Sequence, residues 1–212
     1  GDAIALVEAA GSIVVAVAGP LVQECDDVDA AAGFLWWALN LCATSVLGDD
    51  TLVHASAAAR GDRAVALTGE SGAGKSTLLA ALVLQGLDPV SDEVTRLAGG
   101  RVLPWRSPID LDPRSQQLLG LARPLSDADT AGSQSGGIAG SRSAGGAAVD
   151  ATVLAVVSHQ GSTDPVEITP IDRFSALNVV LAAGFHPDGR RCEDFDRLVA
   201  LVKRATCVAC AG

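Results

Sequence analysis

Between Val65 and Thr77 the chain reads VALTGESGAGKST, and this run restricts what can surround it. Ala64 to Thr68 is an apolar stretch of strand type. Lys75 to about Gln85 is a stretch of helix type. Between them stand Gly69, Glu70, Ser71, Gly72, Ala73, Gly74, Lys75 and Ser76, with the spacing G-x-x-x-x-G-K-S of a P-loop. The glycines let the backbone close on an anion with no Cβ in the way. The N–H groups of such a loop form a nest, and the following helix adds unpaired N–H groups and its positive dipole end. Lys75 is expected to reach the β- and γ-phosphates of a nucleotide, with the Ser76 hydroxyl on Mg²⁺ and Thr77 closing the motif.

Composition narrows the partners. The formal net charge is −10, with no basic face to release counterions from a nucleic acid or acidic membrane. A nucleotide is compatible, because a P-loop holds it through local donors. The 212 residues suffice for one domain with a sizeable core, and the start at Gly1 without a single Met predicts a trimmed chain. Five scattered cysteines and no signal-peptide pattern predict a reducing, cytoplasmic setting. Cys207-Val-Ala-Cys210 has redox-type spacing, but it follows a β-type run with no helix to open and no second pair to complete a zinc site, so it reads as part of a final strand.

Along the chain, Ala3–Val7 and Ile13–Ala18 read as strands. Ala30–Gly48 has no charged residue and reads as a buried helix, since it holds Asn40, Thr44 and Ser45 and lacks Lys or Arg anchors. Asp29 is its candidate cap. Leu52–Ala59 is expected to pair as a hairpin with Arg63–Thr68 across Gly61-Asp62, which puts His54 on the strand beside the one feeding the loop. A C-cap is expected at Gly86. Leu87–Val90 reads as a short strand ending in Ser91-Asp92-Glu93, and Thr95–Leu97 with Arg101–Leu103 as a hairpin. Pro104–Pro108 is a stiff loop. Pro113–Leu121 reads as a short helix capped by Asp112. Residues 126–150, dominated by Gly, Ser and Ala, read as a mobile loop or lid. Thr152–Ser158 is a central strand, Pro170–Ala183 a helix capped by Thr169, and Cys192–Lys203 an amphipathic helix facing inward with Phe195, Leu198, Val199 and Val202. His159 and His186 read as surface residues.

The acidic pair Asp92-Glu93 carries the chemistry. Beside a metal and a γ-phosphate, one carboxylate can ligate the metal while the other takes a proton from an attacking hydroxyl.

The run HASAAARGDRAVALTGESGAGKSTLLAALVLQGLDPVSDEVTRL, from His54 to Leu97, resembles the kinase domain of HPr kinase/phosphorylase and its small relatives, including tailoring kinases of lasso and other ribosomal peptides. The likeness extends to Pro108. It rests on a strand His, the P-loop and the acidic pair in that order. It implies an α/β fold with a mixed central sheet and flanking helices, of the type shared with phosphoenolpyruvate carboxykinase. Residues 49–212 would form that kinase-like domain, and residues 1–48 strands and a helix packed on its core. It also implies ATP and Mg²⁺, with Ser76 and Asp92 toward the metal, His54 near the γ-phosphate and acceptor hydroxyl, and Arg106 within reach of the transferring phosphate. The activity implied is phosphoryl transfer to a Ser or Thr of a protein or peptide, in a chain that can form homo-oligomers. A non-catalytic ATP-binding regulatory module and a small-molecule kinase are the alternatives. This chain departs from the family in having Thr77 where HPr kinase has Glu, Asp-Glu in place of Asp-Asp, and no counterpart of the phosphorylase segment. These departures weigh against HPr itself as the acceptor.

Overall fold

The computed structural model describes residues 4–9, 12–17, 21–28, 30–35, 38, 50–98, 100–105, 109, 111–121, 147–159, 166–185 and 191–212. The chain divides into two compact units, Gly1–Asp49 and Asp50–Gly212.

In the first unit, β1 (Ile4–Ala9), β2 (Ser12–Val17) and β3 (Leu21–Cys25) form an antiparallel sheet in sequence order. Alternation turns Ile13, Val15 and Val17 inward from β2, where they pack with Cys25, Ala31, Phe34, Leu35 and Ala38. The strand β3 was not foreseen, since Gln23 and Glu24 dilute its apolar pattern. Residues 30–35 are helical, and the cap is Asp27, whose carboxylate accepts from the Ala30 N–H at 2.8 Å. Asp29 and most of the expected continuation to Gly48 lie outside the described residues. Among the described residues, no helix is long and apolar enough to cross a membrane.

The second unit is mixed α/β. Its sheet holds nine strands among the described residues, in the order β10 (Glu167–Pro170), β12 (Thr206–Ala211), β9 (Val149–Ser158), β5 (Arg63–Thr68), β4 (Thr51–Arg60), β7 (Val94–Ala98) and β8 (Arg101–Leu103), with β6 (Asp88–Ser91) and β11 (Gly184–Phe185) also on β4. The spine is β4 (Thr51–Arg60), paired with β5 (Arg63–Thr68) in the expected hairpin, with Ala55 opposite Thr68. The ten residues of β4 also pair with β6 (Asp88–Ser91), β7 (Val94–Ala98) and the two-residue β11 (Gly184–Phe185). On its other side β5 runs parallel to β9 (Val149–Ser158), and β9 runs parallel to β12 (Thr206–Ala211). The start of β9 also pairs with β8 (Arg101–Leu103), itself hairpin-paired with β7, so β4, β5, β9, β8 and β7 close a ring.

Helix α1 (Lys75–Leu84) covers one face of the sheet with Leu79, Ala80 and Val83, packed on Ala58, Leu67, Ala155, Val157 and Cys210. Helices α3 (Arg173–Ala182) and α4 (Arg191–Arg204) supply Ala176, Val180, Leu198, Leu201 and Val202 to the other face, packed on Ala55, Ala57, Ala66, Leu154 and Cys207. The short α2 (Pro113–Leu118) follows β8 and is capped by Asp112, as its sequence predicts.

Three expectations need correction. Thr169 and Pro170 lie in β10 (Glu167–Pro170), paired with β12, and α3 is capped by Asp172, which accepts from the N–H groups of Phe174 and Ser175. On α4, Phe195 is 44% exposed and Asp194 is buried in its stead. Asp194 accepts a 2.6 Å hydrogen bond from the buried Thr51 hydroxyl, with Arg197 close to both. A buried hydroxyl and carboxylate that satisfy each other decide which face of the helix turns inward. Finally, β9 begins at Val149, so Val149 and Asp150 are strand and not loop, and 122–146 lie outside the described residues.

The cysteine spacing is explained by strand geometry. Residues three apart on a strand point to opposite faces. Cys207 therefore packs under α3 and α4 and Cys210 under α1, both as free thiols. Burial pushes both thiols up from their usual range.

Candidate functional site

The loop Gly69–Gly74 leaves the C-terminal end of β5, where β9 and β12 also end. Open parallel sheets bind ligands at this end. Gly69 has φ +154°, and a Cβ there would stand 2.2 Å from the Val157 carbonyl oxygen of β9. Only glycine lets the chain turn this tightly over the strand end. Gly74, at φ +93°, caps α1 without a side-chain hydrogen bond, which leaves the first-turn N–H groups of the helix with no capping side chain. Glu70, Ser71 and Gly72 are exposed, and the Ala73 N–H closes the loop on the Glu70 carbonyl at 3.2 Å.

Lys75 is 6% exposed, and its Nζ donates to the carbonyls of Gly69 at 3.1 Å and Glu70 at 2.9 Å. Burial lowers its pKa, while the carboxylates of Glu93 and Asp92 pull it back up. The ammonium is thus held over the loop, facing the acidic pair.

Asp92 follows β6. It is 1% exposed, and its Oδ1 accepts from Ser56 Oγ at 2.5 Å and from Ser76 Oγ at 3.2 Å. Burial raises its pKa. The two serine hydrogen bonds and the Glu93 N–H oppose that rise, and the Glu93 carboxylate adds to it. The connection is locked from beneath. Thr95 Oγ1 donates to the Ala55 carbonyl at 2.8 Å and so accepts from Ser91 Oγ at 2.8 Å.

Glu93 is the one non-glycine residue with positive φ, +65°, among the described residues. This conformation is costly for a side-chain-bearing residue and persists only where its surroundings enforce it. His54 lies one step past the Ala55–Thr68 pair, at the loop end of β4. Its Nδ1 is 3.1 Å from the Glu93 carbonyl oxygen and 3.6 Å from Glu93 Oε2.

The predicted residues His54, Lys75, Ser76, Asp92 and Glu93 therefore gather at one end of the sheet. Arg106 lies outside the described residues. Trp105, just before it, donates its N–H to the Val90 carbonyl at 2.9 Å and stacks under Arg96. Thr77 turns to Ser115 of α2 at 2.8 Å. Because the Ser115 hydroxyl donates to Asp112, Thr77 is the donor of that pair. His159 is exposed, with Nδ1 2.8 Å from the Gly212 carbonyl oxygen, and His186 lies outside the described residues.

Sequence reasoning missed Ser56 and Ser115. The signal for Ser56 was there, since a residue two beyond His54 on a strand shares its face. Ser115 carried none, because its partner is 38 positions away. Among the described residues, no three His, Cys, Asp or Glu side chains converge as a metal cluster, and directly after the loop lysine the Ser76 hydroxyl meets the Asp92 carboxylate, two oxygen donors of metal type. Comparison with known proteins finds no family model, no curated protein and no solved structure that matches the chain.

Proposed function

We propose that the second unit binds ATP with Mg²⁺ and transfers the γ-phosphoryl group to a Ser or Thr hydroxyl of a protein or peptide. The observation that carries this reading is the meeting of Ser76 and Asp92. They are 16 residues apart in sequence, and the hydroxyl following the loop lysine donates to a buried carboxylate. A hydroxyl and a carboxylate are the hard oxygen donors Mg²⁺ prefers, so the residues present fit the ion. When bound, Mg²⁺ supplies charge neutralisation at the β- and γ-phosphates.

The remaining roles fall to the chain itself. The N–H groups of the loop and of the first turn of α1 take phosphate oxygens. Lys75 exchanges its two carbonyl acceptors for phosphate. Ser56 holds Asp92 in place. Glu93 and His54, more exposed than Asp92, stand on the side from which an acceptor hydroxyl arrives, and Arg106 is assigned to the transferring phosphate by the family resemblance alone. The acceptor is a protein or peptide by the family resemblance.

The test is calorimetry with a non-hydrolysable ATP analogue, with and without Mg²⁺, followed by transfer from radiolabelled ATP to Ser/Thr peptide pools and to small hydroxyl metabolites. Mg²⁺-dependent binding and labelled peptide are expected. No binding by the wild type overturns the reading. Binding without any transfer identifies a regulatory ATP module instead, and label on a metabolite alone identifies a small-molecule kinase.

A further inference from the structure

We propose that the first unit docks a basic, extended stretch of polypeptide, laid along the edge of β3 with its apolar residues on the outer face of the sheet and its lysines or arginines against the unit's carboxylates.

The first support is an apolar sheet face that is left uncovered. Ile13, Val15 and Val17 turn inward from β2, so Val14 and Ala16 turn outward. Residues paired across strands share a face. Val7 of β1 and Glu24 of β3 flank Val14, and Val22 of β3 stands opposite Ala16. Val7 is 53% exposed and Val22 57%, while Val14 and Ala16 are half-buried. The outer face is therefore a shallow apolar row with a carboxylate at its margin.

The second support is the edge. Among the described residues, β3 pairs on one side only, with β2. Its central residues Val22, Gln23 and Glu24 are all exposed. Sheet edges are commonly blunted by Lys or Pro, and β3 contains neither. An extended peptide adds to such an edge through main-chain hydrogen bonds, and its alternate side chains give the specificity.

Charge selects the occupant. Residues 1–49 hold seven Asp and Glu and no Lys, Arg or His, and all 15 Lys and Arg of the chain lie beyond them. Glu24, Asp26 and Asp27 are exposed in or just after β3. A second copy of this unit would set like charge against like, and so would an acidic peptide or a nucleic acid. A segment that alternates Lys or Arg with apolar residues meets both demands. Its apolar side chains cover the valines, and its cations neutralise carboxylates for which the unit itself supplies no cation.

This surface does not rest on the phosphoryl-transfer reading. In a kinase, a surface of this kind raises the local concentration of the acceptor chain.

The test is fluorescence anisotropy on the full chain without nucleotide. The probes are two labelled peptide pools. One alternates Lys or Arg with Val, Ile or Thr, and the other has Glu or Asp in the basic places. Saturable binding of the basic pool alone is expected, and it should weaken as salt rises, because exposed charges are then screened. Val7→Thr with Val22→Thr keeps strand-forming residues and removes the apolar row, so binding should weaken by about fivefold or more. Glu24→Gln with Asp26→Asn leaves the helix cap Asp27 in place and should weaken binding by about 3- to 10-fold. Methylating alternate backbone nitrogens of the basic pool should abolish binding, and this arm uses the unaltered protein, so it decides even where a variant fails to fold. Absence of binding by the basic pool, equal binding of the two pools, or undiminished binding of the methylated pool overturns the proposal. Folded double variants that both bind as the wild type does overturn it too. Self-association that disappears in the double valine variant identifies a second copy as the occupant and likewise overturns it.

Discussion

Gly69 sits so close to Val157 that the smallest side chain would overlap the Val157 carbonyl, with 2.2 Å between the two atoms. The loop is therefore pressed against β9 by its first glycine. Gly69→Ala combines a forbidden backbone with a clash that no side chain can relieve. It is expected to cost about 3 kcal/mol or more. Gly72, at φ +77°, has nothing within 4 Å of its Cβ position, so Gly72→Ala should cost only about 1–2 kcal/mol. Urea unfolding of the two variants checks this. Equal losses would mean that backbone conformation and not contact with β9 makes Gly69 necessary.

Lys75→Ala is expected to weaken binding of the ATP analogue by about 2–4 kcal/mol, or roughly 30- to 1,000-fold. The fold should survive, since among the described residues the lysine bonds to two loop carbonyls, and their loss of a donor costs about 1 kcal/mol. Calorimetry and circular dichroism together check it. Unchanged affinity would remove the phosphate assignment of the loop.

Asp92→Asn should raise stability and lower function. Burial raises the Asp92 pKa in the folded state above its unfolded value. Such an acid folds best when protonated, so its unfavourable contribution grows as pH rises from the ordinary carboxylate range through the raised folded value. The amide removes that contribution. In the ligand-free protein above this range, the variant is expected to gain on the order of 1 kcal/mol, with the gain vanishing at acid pH. Thermal melts across pH measure it. A variant less stable than wild type at neutral pH contradicts the burial argument.

Asp172→Ala should cost about 1 kcal/mol, and Thr169→Ala close to nothing. Asp172 accepts two N–H groups of the first turn of α3, while Thr169 is an exposed residue of β10. Chemical denaturation separates the two, and the reverse order would restore the cap at Thr169.

This pair shows where a sequence stops being legible. Thr169-Pro170 has the look of a cap and first position, and so does Asp172. The choice is made by β12, some forty positions later, whose edge takes residues 167–170 into the sheet. The same holds for α4. Its apolar spacing suggests Phe195 inward, and the Thr51 hydroxyl, 143 positions away, rotates Asp194 in. Local features came through because their causes are local. The β4–β5 hairpin follows from Gly61-Asp62, the loop from its glycines, and the cap of α2 from Asp112-Pro113. His54 and the acidic pair were legible as a set, because strand order alone brings their ends together. The approach of Glu93 to the histidine was not, since it depends on a positive φ at Glu93 that no composition encodes.

The opposed faces of Cys207 and Cys210 have a use beyond packing. Each thiol is sealed by a different layer, Cys207 by α3 and α4 and Cys210 by α1, while Cys25 is sealed in the first unit. With Cys42 and Cys192 changed to Ser, three interior sulfurs become three separate clocks. The rate at which a small disulfide reagent reaches each one times the opening of one layer, and a nucleotide that tightens only the α1 side should slow the Cys210 clock and leave the other two running.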